Sequence, residues 1–226
     1  MSNLYSLNCD KRLICDTAKV WRDRSAIGTA LPAISRGKTA PVIREGISGE
    51  RELLDMQWGL PPPPDCGTTP VTTIRNTRSG WWRRWLGESA FRCLVPATSF
   101  CLHQHGLVPH LPVWFALEDK RPPFFFAGLW RSWVGTPDRP VAGESLLFAI
   151  LTTEANDAIA SVHPLSMPVL LLTEEERDLW LHAPLREALS VQKPADCFLH
   201  IVAQGQKADP GSPKAQTRAG ARLGQV

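Results

Sequence analysis

Short apolar runs separated by Pro and Gly are the main pattern along this chain. Each run is three to eight residues long, and no internal repeat accompanies them. Runs of this length between turn residues are typical of buried β-strands rather than of helices. They lie at residues 53–60, 93–95, 112–117, 124–130, 146–151 and 169–172.

Two helical patterns accompany these predicted strands. Behind a candidate N-cap at Asn8 or Asp10, a first helix is predicted from side chains that recur at helical spacing: Leu13, Ile14, Thr17, Ala18 and Trp21. A second helix is predicted after Thr173, because Glu176 three residues later completes a capping box. Strands and helices do not alternate regularly. We therefore expect a mixed α+β domain with a curved, partly barrel-like mixed sheet and peripheral helices.

Composition narrows the class of protein without naming a function. The chain has 226 residues, 43% of them hydrophobic and 21% charged, which excludes wholesale disorder and fibrous architectures. The apolar runs are far shorter than the ~20 residues of a membrane-spanning helix, and no secretory signal is visible. We expect a cytoplasmic monomer with no membrane association. The six cysteines form no CxxC pair, so reduced thiols are expected.

One segment is suited to single-stranded DNA. A net charge of +3 permits a nucleic-acid partner without requiring one, so local clustering of cations matters more. Between residues 75 and 85, cations suited to phosphates interleave with flat rings suited to unstacked bases. The predicted DNA-binding residues are Arg75, Arg78, Arg83, Arg84, Trp81, Trp82 and Trp85. The alternative is a helix whose tryptophans enter the core while its arginines are solvated.

Six segments, read in order, resemble the successive motifs of the SOS response-associated peptidase (SRAP) family. They are Met-Ser-Asn-Leu-Tyr-Ser at 1–6, Trp-Gly-Leu-Pro at 58–61, Arg-Asn-Thr-Arg at 75–78, Arg-Cys-Leu-Val-Pro at 92–96, Ala-Gly-Leu-Trp at 127–130 and His-Pro-Leu-Ser-Met-Pro at 163–168. The resemblance implies one SRAP-like domain at residues 1–203. Residues 204–226 are poor in large apolar groups, and we expect a flexible basic tail there.

The resemblance also implies a chemistry and a partner. In that family the initiator methionine is removed, and residue 2 then presents an α-amine beside a thiol. The amine forms an imine with the aldehyde of an abasic site in single-stranded DNA, and the thiol closes a stable ring. Lyase activity and self-processing peptidase activity are associated with the same pocket. The family pattern makes Ser2, Asn76 and His163 the candidate catalytic residues here. Neither a metal nor a cofactor is expected.

Three positions depart from the family pattern. Ser2 replaces the cysteine, and a hydroxyl is a weaker nucleophile than a thiol, so no stable ring can form. Leu102 stands where the family supplies a glutamate for proton transfer. His163 lies one residue further from Met167 than in the usual arrangement. We expect weakened crosslinking, lyase and peptidase chemistry, with reversible imine formation by the Ser2 amine.

Two rival interpretations stay open at this point. Cys101, His103 and His105 alternate, with His110 nearby, and such a group could bind zinc. The second rival is a catalytically inactive single-stranded DNA-binding module of the same fold, favoured by Ser2 and Leu102 together. Asn76 could also be a turn residue only, and His163 purely structural.

Overall fold

The fold is a closed barrel with a second sheet against it, seen in a computed structural model that describes residues 4–64, 66–136 and 139–211. The first eight strands are β1 Leu4–Asn8, β2 Arg22–Asp23, β3 Ala30–Ser35, β4 Thr39–Glu45, β5 Arg51–Trp58, β6 Thr73–Ile74, β7 Arg92–Ala97 and β8 Ser99–His103. The remaining six are β9 Pro112–Ala116, β10 Phe124–Thr136, β11 Arg139–Thr153, β12 Met167–Pro168, β13 Leu170–Leu171 and β14 His200–Gln204.

The helices are short and lie around the strands. They are α1 Lys11–Thr17, α2 Gly80–Leu86, α3 Asp157–Ala160, α4 Glu174–His182 and α5 Leu185–Ala188, with 3-10 turns at Ser89–Phe91 and Leu189–Val191. The capping box of α4 is confirmed, because Thr173 accepts from the Glu176 amide and the Glu176 carboxylate accepts from the Thr173 amide. None of the described helices is long and apolar enough to cross a membrane.

Five strands close into the barrel in the order β5, β4, β7, β10, β11. Closure comes from a parallel pairing of β11 with β5 through Leu147 with Gln57 and Phe148 with Trp58. The second sheet has the order β14, β9, β8, β1, β3. The chain passes from the barrel into this sheet at Thr98, between β7 and β8. The expected mixed α+β domain with a partly barrel-like sheet is confirmed.

Aromatic side chains fill the space between the barrel and the second sheet. Tyr5 from β1 packs edge-on against Trp58 and Phe126, with ring centroids 5.1 and 5.8 Å away. Phe100 from β8 lies 6.0 Å from Phe126. Rings of this size bury large apolar areas and dominate core energetics. The N-terminal strand is therefore held from both sides in the core.

Two expectations about the ends of elements were wrong. The first helix ends at Thr17 rather than continuing to Trp21, because Lys19 takes a left-handed backbone conformation with φ of 51°. Trp21 is consequently 75% exposed. The packed chain also continues beyond residue 203, since Asp209 is only 2% exposed and accepts from the Arg121 guanidinium. Residues 204–211 are thus no flexible tail, and residues 212–226 lie outside the described part.

Candidate functional site

The N-terminal strand leads toward a small apolar cavity. β1 lies between β3 and β8, and Leu4 pairs with Ser35 on one side and Cys101 on the other. Leu4 and the buried Leu102 both line the cavity, whose volume of about 20 Å³ matches one water molecule. Ser2 lies outside the described residues. Leu102, at the position where the family has a glutamate, therefore contributes only methyl groups to the cavity wall.

The same cavity is bounded by the loop that carries His163. Residues 166–168 form part of the wall, although His163 itself does not. His163 is 5% exposed, and its ring lies 6.5 Å from that of His105. Its Nδ1 is 3.1 Å from the backbone oxygen of His103. We assign the proton to Nδ1, which donates to that carbonyl, because a carbonyl oxygen can only accept.

This assignment makes the other ring nitrogen of His163 a base. Nε2 is buried and has no hydrogen-bond partner among the described residues. Burial lowers the pKa of His163, although the hydrogen bond to His103 acts in the opposite direction. A neutral imidazole with a free Nε2 lone pair can accept a proton from a bound molecule. Within the described chain, the buried side-chain atoms Tyr5 OH, Arg44 Nε, Trp85 Nε1 and Thr152 Oγ1 also lack a hydrogen-bond partner, so this feature makes His163 a candidate base without deciding its role.

Asn76 and Arg78 lie in a separate polar pocket. β6 pairs in parallel with β11, so the chain leaves β6 beside the end of β11. The Asn76 side-chain oxygen accepts from the Arg78 amide at 3.2 Å, which forms a local turn. The pocket has a volume of about 220 Å³ and is lined by Arg75, Asn76, Thr77, Arg78, Thr153, Glu154 and Gln192. The Asn76 side chain is thus both a turn residue and an exposed amide that can contact a ligand.

The two arginines of this pocket differ in their availability. Arg75 donates to the backbone oxygens of Thr153 and Leu165 at 2.7 and 3.2 Å. It also forms an ion pair with Glu154 at 2.9 Å. Arg78 is exposed and pairs with no described carboxylate. Of these two arginines, Arg78 is therefore the more available to bind a phosphate.

Gln192 braces this pocket, and sequence reasoning missed it. Its amide nitrogen donates to the backbone oxygens of Arg75 and Thr152 at 2.9 and 3.0 Å. Its side-chain oxygen accepts from the Thr77 hydroxyl at 2.8 Å. The contacts span more than a hundred residues of sequence with Arg75 and Thr77, so no local pattern could reveal them.

A wide groove also includes Trp58 in its wall. Its volume is about 880 Å³, and its walls include Trp58, Trp81, Trp82, Arg131, Trp133 and the proline run 61–64. Trp58 also lines the small cavity, so the two spaces share this side chain. Trp82 is 8% exposed, whereas Trp81 is half-buried. Trp82 is therefore buried, as expected for a helix whose tryptophans enter the core. Trp81 and Trp82 both line the groove nonetheless.

The predicted DNA-binding set is therefore divided among three places. Arg75 and Arg78 lie in the polar pocket, and Trp81 and Trp82 line the groove. Trp85 packs against Phe91 with ring centroids 5.2 Å apart, and the Arg84 guanidinium lies 4.5 Å from its centroid. Arg83 lies on α2, as Trp85 does, and is exposed.

The cysteine and histidine group offers no metal site in the described chain. No three His, Cys, Asp or Glu side chains there are grouped to hold an ion. Cys101 is fully buried, and burial raises the pKa of its thiol to about 12. A protonated thiol is a poor metal ligand. The zinc interpretation thus has no support from residues 4–64, 66–136 and 139–211.

Comparison with known proteins decides the family. The family model described as SOS response associated peptidase (SRAP) matches residues 9–203. The chain belongs to the SRAP family. A curated relative from Gallus gallus, abasic site processing protein HMCES, is 26% identical, and the match covers 69% of this chain and 53% of that protein. The SRAP chain thus spans about half the length of this relative.

Solved structures show the same fold. A protein from Bordetella bronchiseptica has a TM-score of 0.68 at 21% identity and covers 91% of this SRAP chain and 98% of its own. A protein from Bacteroides thetaiotaomicron has a TM-score of 0.65 at 19% identity, with coverage of 88% and 90%. A phage-related protein from Bordetella bronchiseptica reaches 0.62 at 22% identity, with coverage of 84% and 87%.

Proposed function

We propose that this SRAP protein processes abasic sites in single-stranded DNA as part of the DNA damage response. The observation that carries the proposal is the junction of the N-terminal strand with a cavity whose wall continues into the His163 loop. A family with N-terminal chemistry requires its first residues at such a place. The relative's name, which concerns abasic sites, points to the same substrate.

The reaction starts at the Ser2 amine after removal of Met1. The neutral amine adds to the aldehyde carbon of the ring-opened sugar, and loss of water gives an imine. Removal of a proton from the carbon beside the imine then expels the phosphate on the 3′ side. His163 is the base in this proposal, because its Nε2 is free and its ring is neutral. Asn76 contacts the sugar or its flanking phosphate, with Arg78 beside it.

The departures from the family pattern set the strength of this activity. The Ser2 hydroxyl closes an oxazolidine, which hydrolyses readily, so trapping of DNA is reversible. Leu102 supplies no carboxylate for proton transfer, and general acid–base help is typically worth ~100-fold or more. Peptidase action on the residue ahead of Ser2 is weakened for the same reason. Arg75, Arg83, Arg84, Trp81, Trp82 and Trp85 belong to the DNA-binding face in this proposal.

A borohydride trapping assay tests the proposal. Single-stranded DNA with an abasic site should give a shifted protein–DNA band on a denaturing gel only when borohydride reduces the imine. Ser2→Cys should give a heat-stable band without borohydride. As a matched control, Ser2→Leu retains the initiator methionine and removes the free amine from residue 2, so it should trap no DNA there. Mass spectrometry verifies the N-terminus of each protein.

The binding-module interpretation remains the second candidate, favoured by the apolar wall at Leu102. It predicts tight binding of single strands without any borohydride-dependent band, even for Ser2→Cys combined with Leu102→Glu. A heat-stable crosslink from the unmodified protein would contradict the role given to Ser2. The cytoplasmic location and the monomeric state remain predictions, which fractionation and sedimentation would check.

A further inference from the structure

Two arginines from separate elements converge on one indole beside the groove. The Arg131 guanidinium carbon lies 3.3 Å from the centroid of Trp85, and that of Arg84 lies 4.5 Å from it. Arg131 comes from β10 and Arg84 from α2, so the fold rather than the local sequence brings them together. Arg131 also lines the groove that contains Trp81, Trp82 and Trp133.

Neither of these two arginines has a carboxylate partner in the described protein. Neither forms an ion pair or a side-chain hydrogen bond with a described residue, and each guanidinium lies over the Trp85 ring. Burial lowers the pKa of Arg131, and the neighbouring Arg84 charge lowers it further. Like charges that share a half-buried ring repel each other. An anion that bridges the edges of the two guanidinium groups would relieve that repulsion and complete the hydrogen bonding of both.

The position of the pair relative to the groove indicates which anion fits. The groove presents several indole faces, and its volume of about 880 Å³ exceeds what a lone phosphate ion needs. Indole faces stack on unpaired bases, while guanidinium groups bind the phosphates that join them. Trp58 places this groove next to the cavity reached by the N-terminal strand.

We propose that Arg84 and Arg131 form a phosphate clamp on Trp85 for the undamaged flank of a single DNA strand, whose bases stack in the adjoining tryptophan groove. The proposal rests on the function proposed above and adds a division of labour to it. The clamp and the groove provide affinity for any single strand. Ser2, Asn76 and His163 act only on the abasic nucleotide in this proposal.

Binding of undamaged DNA measures the clamp without involving the chemistry. The probe is a fluorescein-labelled oligothymidine single strand, with its Kd measured by anisotropy over a range of salt concentrations. Arg84→Gln combined with Arg131→Gln should raise Kd by about 10-fold or more. It should also reduce the slope of log Kd against log salt by ~0.7 for each phosphate that the protein no longer neutralises. Arg131→Lys should recover part of the affinity, since it keeps the charge but loses the planar stacking.

A charge-matched control separates the clamp from general electrostatics. Arg12 and Arg186 are exposed on α1 and α5 and line none of the three spaces described above. Arg12→Gln combined with Arg186→Gln should change Kd less than about 2-fold. An equal loss in both double variants would overturn the clamp, as would unchanged affinity and salt slope in Arg84→Gln/Arg131→Gln.

Failure of the clamp and failure of the proposed function give different results. At limiting abasic DNA, the clamp double variant should trap less DNA with borohydride than the wild type, in proportion to its raised Kd, whereas Arg12→Gln/Arg186→Gln should trap as much as the wild type. Loss of trapping at saturation would overturn the division of labour. A wild-type protein that binds no single strand would overturn the clamp and the proposed function together. Binding that survives the clamp substitutions while trapping is normal overturns the clamp alone.

Discussion

Two pairs of charged side chains show opposite ways in which this fold uses arginine. Arg121 and Asp209 are buried, with exposures of 5% and 2%, and the Arg121 Nε donates to both carboxylate oxygens at 2.9 Å. Ser99, Ser6 and the Gly211 amide also donate to that carboxylate. Arg84 and Arg131, in contrast, share the Trp85 ring without any described carboxylate partner.

The difference separates structural charge from charge available to a ligand. A charge removed from water is costly unless it is paired and hydrogen-bonded, so the Asp209 network must be complete. Arg84 is exposed and Arg131 half-buried, so water can solvate them until an anion arrives. In the sequence all four residues are simply ionisable. Burial and partners decide which pair stabilises the fold and which stays available to a ligand.

The largest expected effect on the free energy of unfolding comes from breaking the buried ion pair between Arg121 and Asp209. Asp209→Ala leaves the Arg121 charge buried without its partner and should lower the free energy of unfolding by about 3–5 kcal/mol. Urea denaturation followed by tryptophan fluorescence measures it. Asp196→Ala, which removes an exposed carboxylate, is the matched control and should cost less than about 0.5 kcal/mol. Equal stability of the two variants would mean that residues 205–211 do not hold β1 and β8 as described.

Acidification should weaken the same network more gradually. Burial alone would raise the pKa of Asp209, but hydrogen bonds from Arg121, Ser99 and the Gly211 amide lower it below its ordinary value. A depressed folded-state pKa contributes stability above the unfolded value of about 3.9. That contribution is lost as the pH falls from there through the folded pKa. Asp209→Asn should therefore make the free energy of unfolding depend less on pH below about pH 4. A pH dependence identical to that of the wild type would refute the lowered pKa of Asp209.

Loss of the uncharged Gln192 side chain should have an intermediate effect on the free energy of unfolding. Gln192→Ala removes three hydrogen bonds to Arg75, Thr77 and Thr152 and should cost about 1–3 kcal/mol of unfolding free energy. Because Gln192 braces the turn that carries Asn76, the rate of borohydride trapping should fall even at saturating abasic DNA, where affinity no longer limits it. Gln206→Ala, at an exposed position, serves as the control. A fall in stability with normal trapping would show that Gln192 does not position the turn.

The smallest effect on stability is expected at the unpaired arginines. Arg84→Gln combined with Arg131→Gln should lower the unfolding free energy by only about 1 kcal/mol, since neither side chain has an ion partner to lose. Each loses a cation–π contact with Trp85, and relief of the repulsion between the two charges offsets part of that loss. Thermal denaturation of the DNA-free protein measures this. A destabilisation comparable to that of Asp209→Ala would mean that both pairs are structural and that the contrast is false.

Local sequence signals predicted the elements that depend on neighbours along the chain. The capping box at Thr173 and Glu176 required residues three apart, and the structure confirms it. The short apolar runs predicted β5, β7, β10 and β11, which line the core. Trp21 was misplaced because helical spacing alone does not show where a helix ends, and the left-handed backbone at Lys19 ends α1 earlier.

The sequence alone determined the family, the strand-rich α+β class and the turn that presents Asn76 and Arg78, because each rests on ordered motifs or on contacts between near neighbours. Only the tertiary structure decided what the charged and polar side chains do. Asp209 meets Arg121 across 88 residues, and Gln192 meets Thr77 across 115. Arg131 on β10 and Arg84 on α2 meet at Trp85 only in the folded protein. Such pairs form only when distant segments of the chain pack together in the folded protein. The linear pattern of hydrophobic and polar residues therefore cannot reveal them.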